Sequence, residues 1–205
     1  MRQSPRRHWL NEASRTVRPD GDSDGLCDTV DECPGGAPLE PARLIATGFE
    51  APGCYDRLML EGRLTLSSAS EIDPVVTGLR LGLRDAGGTV VSDDVLPAGI
   101  YDEGTKTGWR LRARPSGVTW IFSRPKGDGG ALGRAVVRRS FANPGELGIL
   151  LRGRPTCLGA PAVSWPLSAA VVLNPSRTSD DQCGEARFPM ATCSAGRHGR
   201  IMCER

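Results

Sequence analysis

The residues with the most specific chemistry form one acidic segment near the N-terminus, residues 20–31. Aspartates occupy positions 1, 3, 5, 9 and 12 of this twelve-residue stretch, and Gly25 occupies position 6. Calcium takes six to eight oxygen ligands at about 2.3–2.6 Å, and this spacing wraps oxygen atoms around one centre. We therefore predict a calcium site made of five carboxylates and one backbone carbonyl, supplied by Asp20, Asp22, Asp24, Leu26 (the carbonyl), Asp28 and Asp31.

Binding of the ion and ordering of this segment are expected to be coupled. Five neighbouring carboxylates repel one another unless a cation is present. Magnesium fits less well because it keeps several waters and is rarely held by an all-protein cage. An EF-hand or a dockerin needs a helix after position 12, and Pro34 with the two following glycines prevents one. The alternative without a metal is an acidic linker that mimics the pattern.

Residues 20–34 resemble a thrombospondin type 3 repeat. The repeat pattern D-x-D-x-D-G-x-x-D-x-x-D-x-C-P is matched at every position, ending in Cys33 and Pro34. The resemblance implies an extracellular calcium-binding spacer, a type of repeat that commonly occurs in tandem. This chain departs from the family in having a single copy and in placing Cys27 inside the loop. A single copy fits a truncated array with more repeats upstream.

The seven cysteines favour disulfides in an oxidising compartment. They do not form paired CxxC motifs, and the only two histidines lie near the chain ends, so a zinc site is poorly supplied with ligands. Cys193 and Cys203 are predicted to face each other across a hairpin, and an odd count leaves one thiol over.

We expect the protein to be secreted or on the cell surface, although the chain shows no export signal. Its basic start lacks the apolar region of a signal peptide, and no stretch is long enough for a membrane-spanning helix. The signal would then lie upstream of this start, or export would use another route. The alternative is a cytoplasmic protein.

Short strands with alternating residues dominate the rest of the chain. Leu58, Leu60, Leu64 and Leu66 alternate with more polar residues, and similar alternation marks 79–84, 89–95, 109–114 and 118–122. Turn signals lie at 85–88 and 115–117. Further strands are predicted at 135–140, 147–152 and 168–173. The pattern predicts an all-β protein, an antiparallel β-sandwich of about seven or eight strands, with a barrel as the alternative.

The domain prediction follows these changes of composition. Residues 1–19 are expected to be disordered, 20–36 to form the calcium loop, and 37–53 to be a linker with a short strand at Arg43–Thr47. Residues 54–175 form the sandwich, and 176–205 a cysteine-rich tail packed on it. From about residue 58 the chain also loosely resembles uncharacterised β-rich domains of predicted secreted bacterial proteins, through Gly108-Trp109, Trp120 and Cys183-Gly184-Glu185. That resemblance implies no activity.

Aromatic and basic residues suggest two further surfaces. Trp109, Trp120 and Trp165 would form a carbohydrate platform if exposed, but tryptophans at strand spacing more often belong to a core. The chain has 24 arginines and two lysines. If several arginine-bearing strands share a sheet, they form a basic wall for an anionic glycan or lipid headgroup; otherwise they form an ordinary solvated face. The arginines considered are Arg80, Arg84, Arg110, Arg112, Arg114, Arg138, Arg139, Arg152 and Arg154.

No catalytic motif is present in the sequence. The adjacent pairs Asp93-Asp94 and Asp180-Asp181 are interpreted as solvated loop charges. We predict a calcium-binding extracellular structural or interaction module without catalytic activity, whose partners are calcium and a cell-surface protein or glycan, and not nucleic acid. The alternatives are a module that binds carbohydrate or an anionic polymer, and a hydrolase with a dispersed carboxylate site drawn from Asp56, Glu61 and Glu103.

Overall fold

The computed structural model describes residues 33, 35–47, 57–66, 69–128, 130–154, 164–175, 182–196 and 200–205. Two β-sheets face each other across one core, so the predicted all-β sandwich is confirmed. The predicted disordered segment 1–19 and the predicted calcium ligands, residues 20–31 of the loop 20–36, lie outside the described residues.

The small sheet has five strands and the large sheet has eight. In spatial order the small sheet contains β1 (Ala37–Pro38), β11 (Cys183–Phe188), β10 (Leu167–Val172), β4 (Leu79–Arg84) and β5 (Val90–Leu96). The large sheet contains β12 (Cys193–Ala195), β13 (Ile201–Glu204), β2 (Arg43–Thr47), β3 (Arg57–Thr65), β9 (Glu146–Gly153), β8 (Leu132–Ser140), β7 (Gly117–Ser123) and β6 (Gly108–Arg114). Among the pairings of these described strands, only the one between β1 and β11 is parallel. One short helix, α1 (Pro74–Thr77), and 3₁₀ turns at Ala69–Glu71 and Met190–Thr192 complete the described elements.

The alternating residues of each strand divide between the core and solvent. In β3, Leu58, Leu60 and Leu64 are buried, while the intervening Glu61 and Arg63 are exposed. This follows from the two-residue period of a strand, which sends neighbouring side chains to opposite faces. Leucines and valines from both sheets meet in a single hydrophobic cluster between them.

Two predicted boundaries differ from the structure. The linker 37–53 contains β1 and β2, and β2 lies inside the large sheet between β13 and β3. The tail 176–205 supplies β11 to the small sheet and β12 and β13 to the large one. The strand at Arg43–Thr47 is confirmed. The described residues form thirteen strands rather than seven or eight. The strands β1, β12 and β13 have only two to four residues, which carry too little alternation to be recognised, and the six-residue β11 lies in the segment predicted as a tail.

The hairpin that joins β4 to β5 turns around the carboxylate of Asp85. Its Oδ1 accepts hydrogen bonds from the backbone N–H of Gly87 at 2.9 Å and of Thr89 at 2.8 Å. Gly88 adopts a φ of 78°, which favours glycine at this position. The predicted turn at 85–88 is therefore confirmed, and Asp85 holds it in place.

Replacing Asp85 by Asn is expected to destabilise the protein in a pH-dependent way. Burial alone raises the pKa of Asp85, but the backbone donors of Thr89, Ser164 and Gly87 outweigh it and leave the pKa below its ordinary value. The ionised group then stabilises the fold above the unfolded-state pKa, and this contribution is lost as the pH falls through the folded-state pKa. We expect Asp85→Asn to lower the free energy of unfolding by about 1.5–3 kcal/mol at pH 7.

Urea denaturation at pH 7 and at successively lower pH values tests this expectation. The difference between the wild type and Asp85→Asn should shrink as the pH falls through the folded-state pKa, because the wild type then loses its ionised acceptor. A difference that stays constant across the titration would contradict the role assigned to the charge.

Candidate functional site

The predicted calcium ligands lie outside the described residues, but Cys33, which belongs to the same repeat pattern, is described. Cys33 stands two positions after Asp31 and forms a disulfide with Cys183 at the start of β11. The backbone N–H of Gly36 donates to the carbonyl of Cys33 at 2.8 Å, and β1 then pairs with β11. The end of the calcium motif is therefore bonded covalently to the small sheet. The donor set itself, carboxylates and one carbonyl, fits a hard cation such as calcium.

A second disulfide closes the C-terminal hairpin. Cys193 in β12 and Cys203 in β13 are register partners with a Cα–Cα distance of 4.0 Å, and their sulfurs are bonded. This pairing is the one predicted from the sequence. The Cys33–Cys183 bond was not predicted, because 150 residues separate its ends and no local pattern connects them. Cys27, Cys54 and Cys157 lie outside the described residues.

The tryptophans belong to the core rather than to a sugar platform. Trp109 is 0% exposed and Trp120 is 3% exposed. The indole N–H of Trp109 donates to the carbonyl of Pro97 at 2.9 Å, and its ring lies 5.1 Å from that of Phe122. Trp165 is half-buried and packs against the same cluster. A carbohydrate platform formed by Trp109 and Trp120 is therefore excluded.

The Asp93-Asp94 pair lies on strand β5 and not in a solvated loop. Asp94 is buried between the sheets, where its Oδ2 lies 2.7 Å from Arg124 Nη2, and it also accepts a hydrogen bond from the backbone N–H of Leu132. Asp93 faces the other way and pairs with Arg80 at 2.6 Å. The hydrogen bond from Arg80 is the main cause that lowers the pKa of Asp93. The earlier interpretation is wrong for both, since a strand sends one of two neighbours inward. Asp180 and Asp181 lie outside the described residues.

The carboxylates proposed for a dispersed hydrolytic site do not converge. Glu61 lies on β3, while Glu103 pairs with Lys106 at 3.1 Å and with Arg110 of β6 at 3.4 Å. Four strand spacings separate β3 from β6, which corresponds to about 19 Å. Asp56 lies outside the described residues. In the part of the chain that the structure describes, no three His, Cys, Asp or Glu side chains are grouped closely enough to hold a metal.

Arginines gather on the outer face of the large sheet, which we call the arginine face. The strand registers place nine arginines on this face: Arg43, Arg57, Arg63, Arg110, Arg112, Arg114, Arg134, Arg138 and Arg152. The same registers place three carboxylates there: Glu61, Glu146 and Glu204. The face therefore carries a formal charge of +6, nine positive charges less three negative ones.

Only some of the predicted basic residues belong to this face. Arg80 and Arg84 lie on the small sheet. Arg139 faces the other side of β8, where it donates to the carbonyl of Ala69 at 2.8 Å, and Arg154 lies beyond β9 and donates to the carbonyl of Pro125. Sequence reasoning missed Arg43, Arg57, Arg63 and Arg134, which stand singly at outward positions of their strands. Only the order of the strands brings them together.

Among the residues that the structure describes, most of the face's arginines have no carboxylate partner. Arg43 pairs with Glu204 at 3.2 Å, Arg63 with Glu146 at 3.7 Å, and Arg110 with Glu103 at 3.4 Å. The remaining guanidinium groups make no ion pair or hydrogen bond within the described segments; they belong to Arg57, Arg112, Arg114, Arg134, Arg138 and Arg152.

A shallow depression of about 600 Å³ lies on this face. Gly148 of β9 stands in register between Arg63 of β3 and Arg138 of β8. The lining of the depression contains the arginines Arg43, Arg63, Arg138 and Arg205 and also the three carboxylates Glu61, Glu146 and Glu204. The depression is therefore of mixed charge, and two of its arginines border a small residue.

Comparisons with protein-family models, with curated proteins and with solved structures give no match. The thrombospondin type 3 resemblance therefore rests on its fifteen sequence positions alone. Among the described elements, no helix has the length and apolar character needed to cross a bilayer.

Proposed function

We propose that the chain is a calcium-binding extracellular module, secreted or held at the cell surface, that serves a structural or interaction role without catalysing a reaction. The observation that supports it best is the Cys33–Cys183 disulfide. It anchors the end of the calcium motif to β11, so that an ordered loop continues directly into a stiff sandwich. Calcium then fixes the direction in which the preceding chain enters the sandwich.

The two disulfides support the extracellular part of the proposal. Disulfides form and persist in oxidising compartments, whereas cytosolic thiols are kept reduced. Both bonds fasten segments near the ends of the chain onto the sandwich, one to the small sheet and one within the large sheet. Such bonds suit a protein that must stay folded outside the cell.

The described carboxylates support a role without catalysis. Glu103 was a candidate for a dispersed hydrolytic site, and it is paired with Lys106 and Arg110. Asp93 and Asp94 are likewise paired with Arg80 and Arg124. These pairs hold the carboxylates in place within the fold.

Calcium titration of the full chain by calorimetry tests the proposal. We expect uptake of one ion with a dissociation constant on the order of 10⁻⁴–10⁻³ M, the range typical of extracellular calcium modules. Asp24→Ala and Asp31→Ala should abolish this uptake, since each removes a ligand. The circular dichroism of the sandwich should not change, because the described strands begin at Ala37, after both substituted positions.

Glu71→Ala is the matched control, since Glu71 is an exposed carboxylate outside the motif. It should bind calcium like the wild type. Absence of binding by the wild type at millimolar calcium, or equal loss of binding in the control, would refute the calcium site.

A further inference from the structure

We propose that the arginine face binds an anionic polysaccharide, a sugar chain that carries carboxylate, sulfate or phosphate groups. This site lies on the described large sheet and does not depend on the calcium loop.

The first argument is the charge that the fold leaves uncompensated. Arg134 of β8 and Arg152 of β9 are directly opposite in register and both point outward. Like charges directly opposite on a sheet destabilise it. Neither side chain has a carboxylate partner within the described residues. A bound anion between the two guanidinium groups would relieve this repulsion.

The second argument is the spacing of the other arginines. Arg112, Arg138 and Arg63 lie in one row across the large sheet, on β6, β8 and β3, and the small residues Thr119 and Gly148 separate them. Alternate strands lie about 9.6 Å apart. The row therefore presents arginines at regular intervals with small residues between them, and within the described residues only Arg63 is paired to a carboxylate, Glu146. This spacing suits an extended chain with repeating anionic groups.

The third argument is the apolar stripe beside this row. Ile121, Val136 and Leu150 are register neighbours on β7, β8 and β9, and they stand between the row that contains Arg138 and the pair formed by Arg134 and Arg152. Val136 is buried, while Ile121 and Leu150 on either side of it are half-buried. A sugar ring presents C–H groups on its faces and charged substituents at its edges. The exposed parts of Ile121 and Leu150 can contact the ring while the flanking arginines bind the anionic groups, since guanidinium matches carboxylate, sulfate or phosphate in a forked geometry.

Other polyanions fit this face less well. Proteins that bind single-stranded nucleic acid stack the bases on aromatic side chains. The outward strand positions of the large sheet, as far as the structure describes them, carry no aromatic ring.

Binding of the full chain to heparin and to polygalacturonate, measured by calorimetry in EDTA, tests the proposal without engaging the calcium loop. Arg134→Gln/Arg152→Gln should bind about tenfold more weakly or worse. The same variant should melt at an equal or higher temperature, because it removes a repulsive pair. If Arg134 and Arg152 served only the fold, replacing them would not weaken binding while leaving the melting temperature unchanged or higher.

Gly148→Asp tests the same site without removing an arginine. The nearest atom to a Cβ built at Gly148 is the Cβ of Arg138 at 3.9 Å, which is an ordinary contact. The new carboxylate would stand between Arg63 and Arg138 and compete with the ligand, so binding should fall by a similar factor. Arg187→Gln is the matched control, since Arg187 is an exposed arginine on β11 of the other sheet.

Four results would overturn the proposal. In the first two, the wild type binds neither polysaccharide at 50 mM salt, or Arg187→Gln weakens binding as much as Arg134→Gln/Arg152→Gln does. In the other two, the protein binds vesicles of phosphatidylglycerol but not polysaccharide, or binds a single-stranded RNA oligonucleotide more tightly than either polysaccharide.

Discussion

Removing the Cys33–Cys183 disulfide is expected to lower the free energy of unfolding by up to about 5 kcal/mol. The bond joins residues 150 positions apart, and the stabilisation by a cross-link grows with the length of the loop that it closes in the unfolded chain. The variant Cys33→Ala/Cys183→Ala isolates this effect. Alanine avoids burying a new hydroxyl, since both cysteines are buried.

The Cys193–Cys203 bond provides the internal comparison. It closes a loop of only ten positions and is expected to contribute about 3 kcal/mol. Guanidinium denaturation of the wild type and of the two double-alanine variants measures both values. If the two variants lost equal stability, the long-range bond would not be constraining the unfolded chain as proposed.

Replacing Asp94 by Ala is expected to cost about 3–5 kcal/mol. Asp94 and Arg124 have side-chain exposures of 7% and 9%, so the variant leaves a buried guanidinium group without its counter-charge. It also removes the acceptor for the backbone N–H of Leu132 at the start of β8. The pair connects the edge strand β5 of the small sheet to the large sheet, and its loss weakens the contact between the sheets.

Asp93→Ala is the matched control because it changes the neighbouring residue on the same strand. Asp93 and Arg80 are 36% and 31% exposed, so their pair should contribute no more than about 1 kcal/mol. Asp94→Leu/Arg124→Leu should cost less than Asp94→Ala, since it removes both buried charges together. Urea denaturation of all three variants gives the comparison. Equal losses for Asp93→Ala and Asp94→Ala would show that burial does not set the strength of these pairs.

The proposed calcium loop and the arginine face have separate tests. Calcium binding is measured through Asp24 and Asp31, while polysaccharide binding is measured in EDTA through Arg134 and Arg152. If both proposals hold, calcium orders the approach to the sandwich, and the large sheet engages an anionic glycan on its outer face. If only one proposal holds, the other binding function is rejected, but the description of the fold does not change, because the fold depends on the core and the disulfides.

Local patterns were sufficient for much of the fold. The leucines of β3 repeat every second residue, so their inward orientation can be predicted without knowledge of the neighbouring strands. The hairpin around Asp85 and the Cys193–Cys203 pair lie within short stretches of chain, where turn residues set the register. The strand β1 was missed because two residues do not establish a period, and β11 was missed within the segment predicted as a tail.

Local residue patterns predicted the strand type, the hairpins and a calcium motif at residues 20–31, because each depends on residues close together in the chain. Three features could be read only from the folded structure: Cys33 bonds Cys183, Asp94 rather than Asp93 faces Arg124, and nine arginines share one face. These features depend on the order of the strands and on how the two sheets pack. Sheet order joins residues more than a hundred positions apart, and no local period records it.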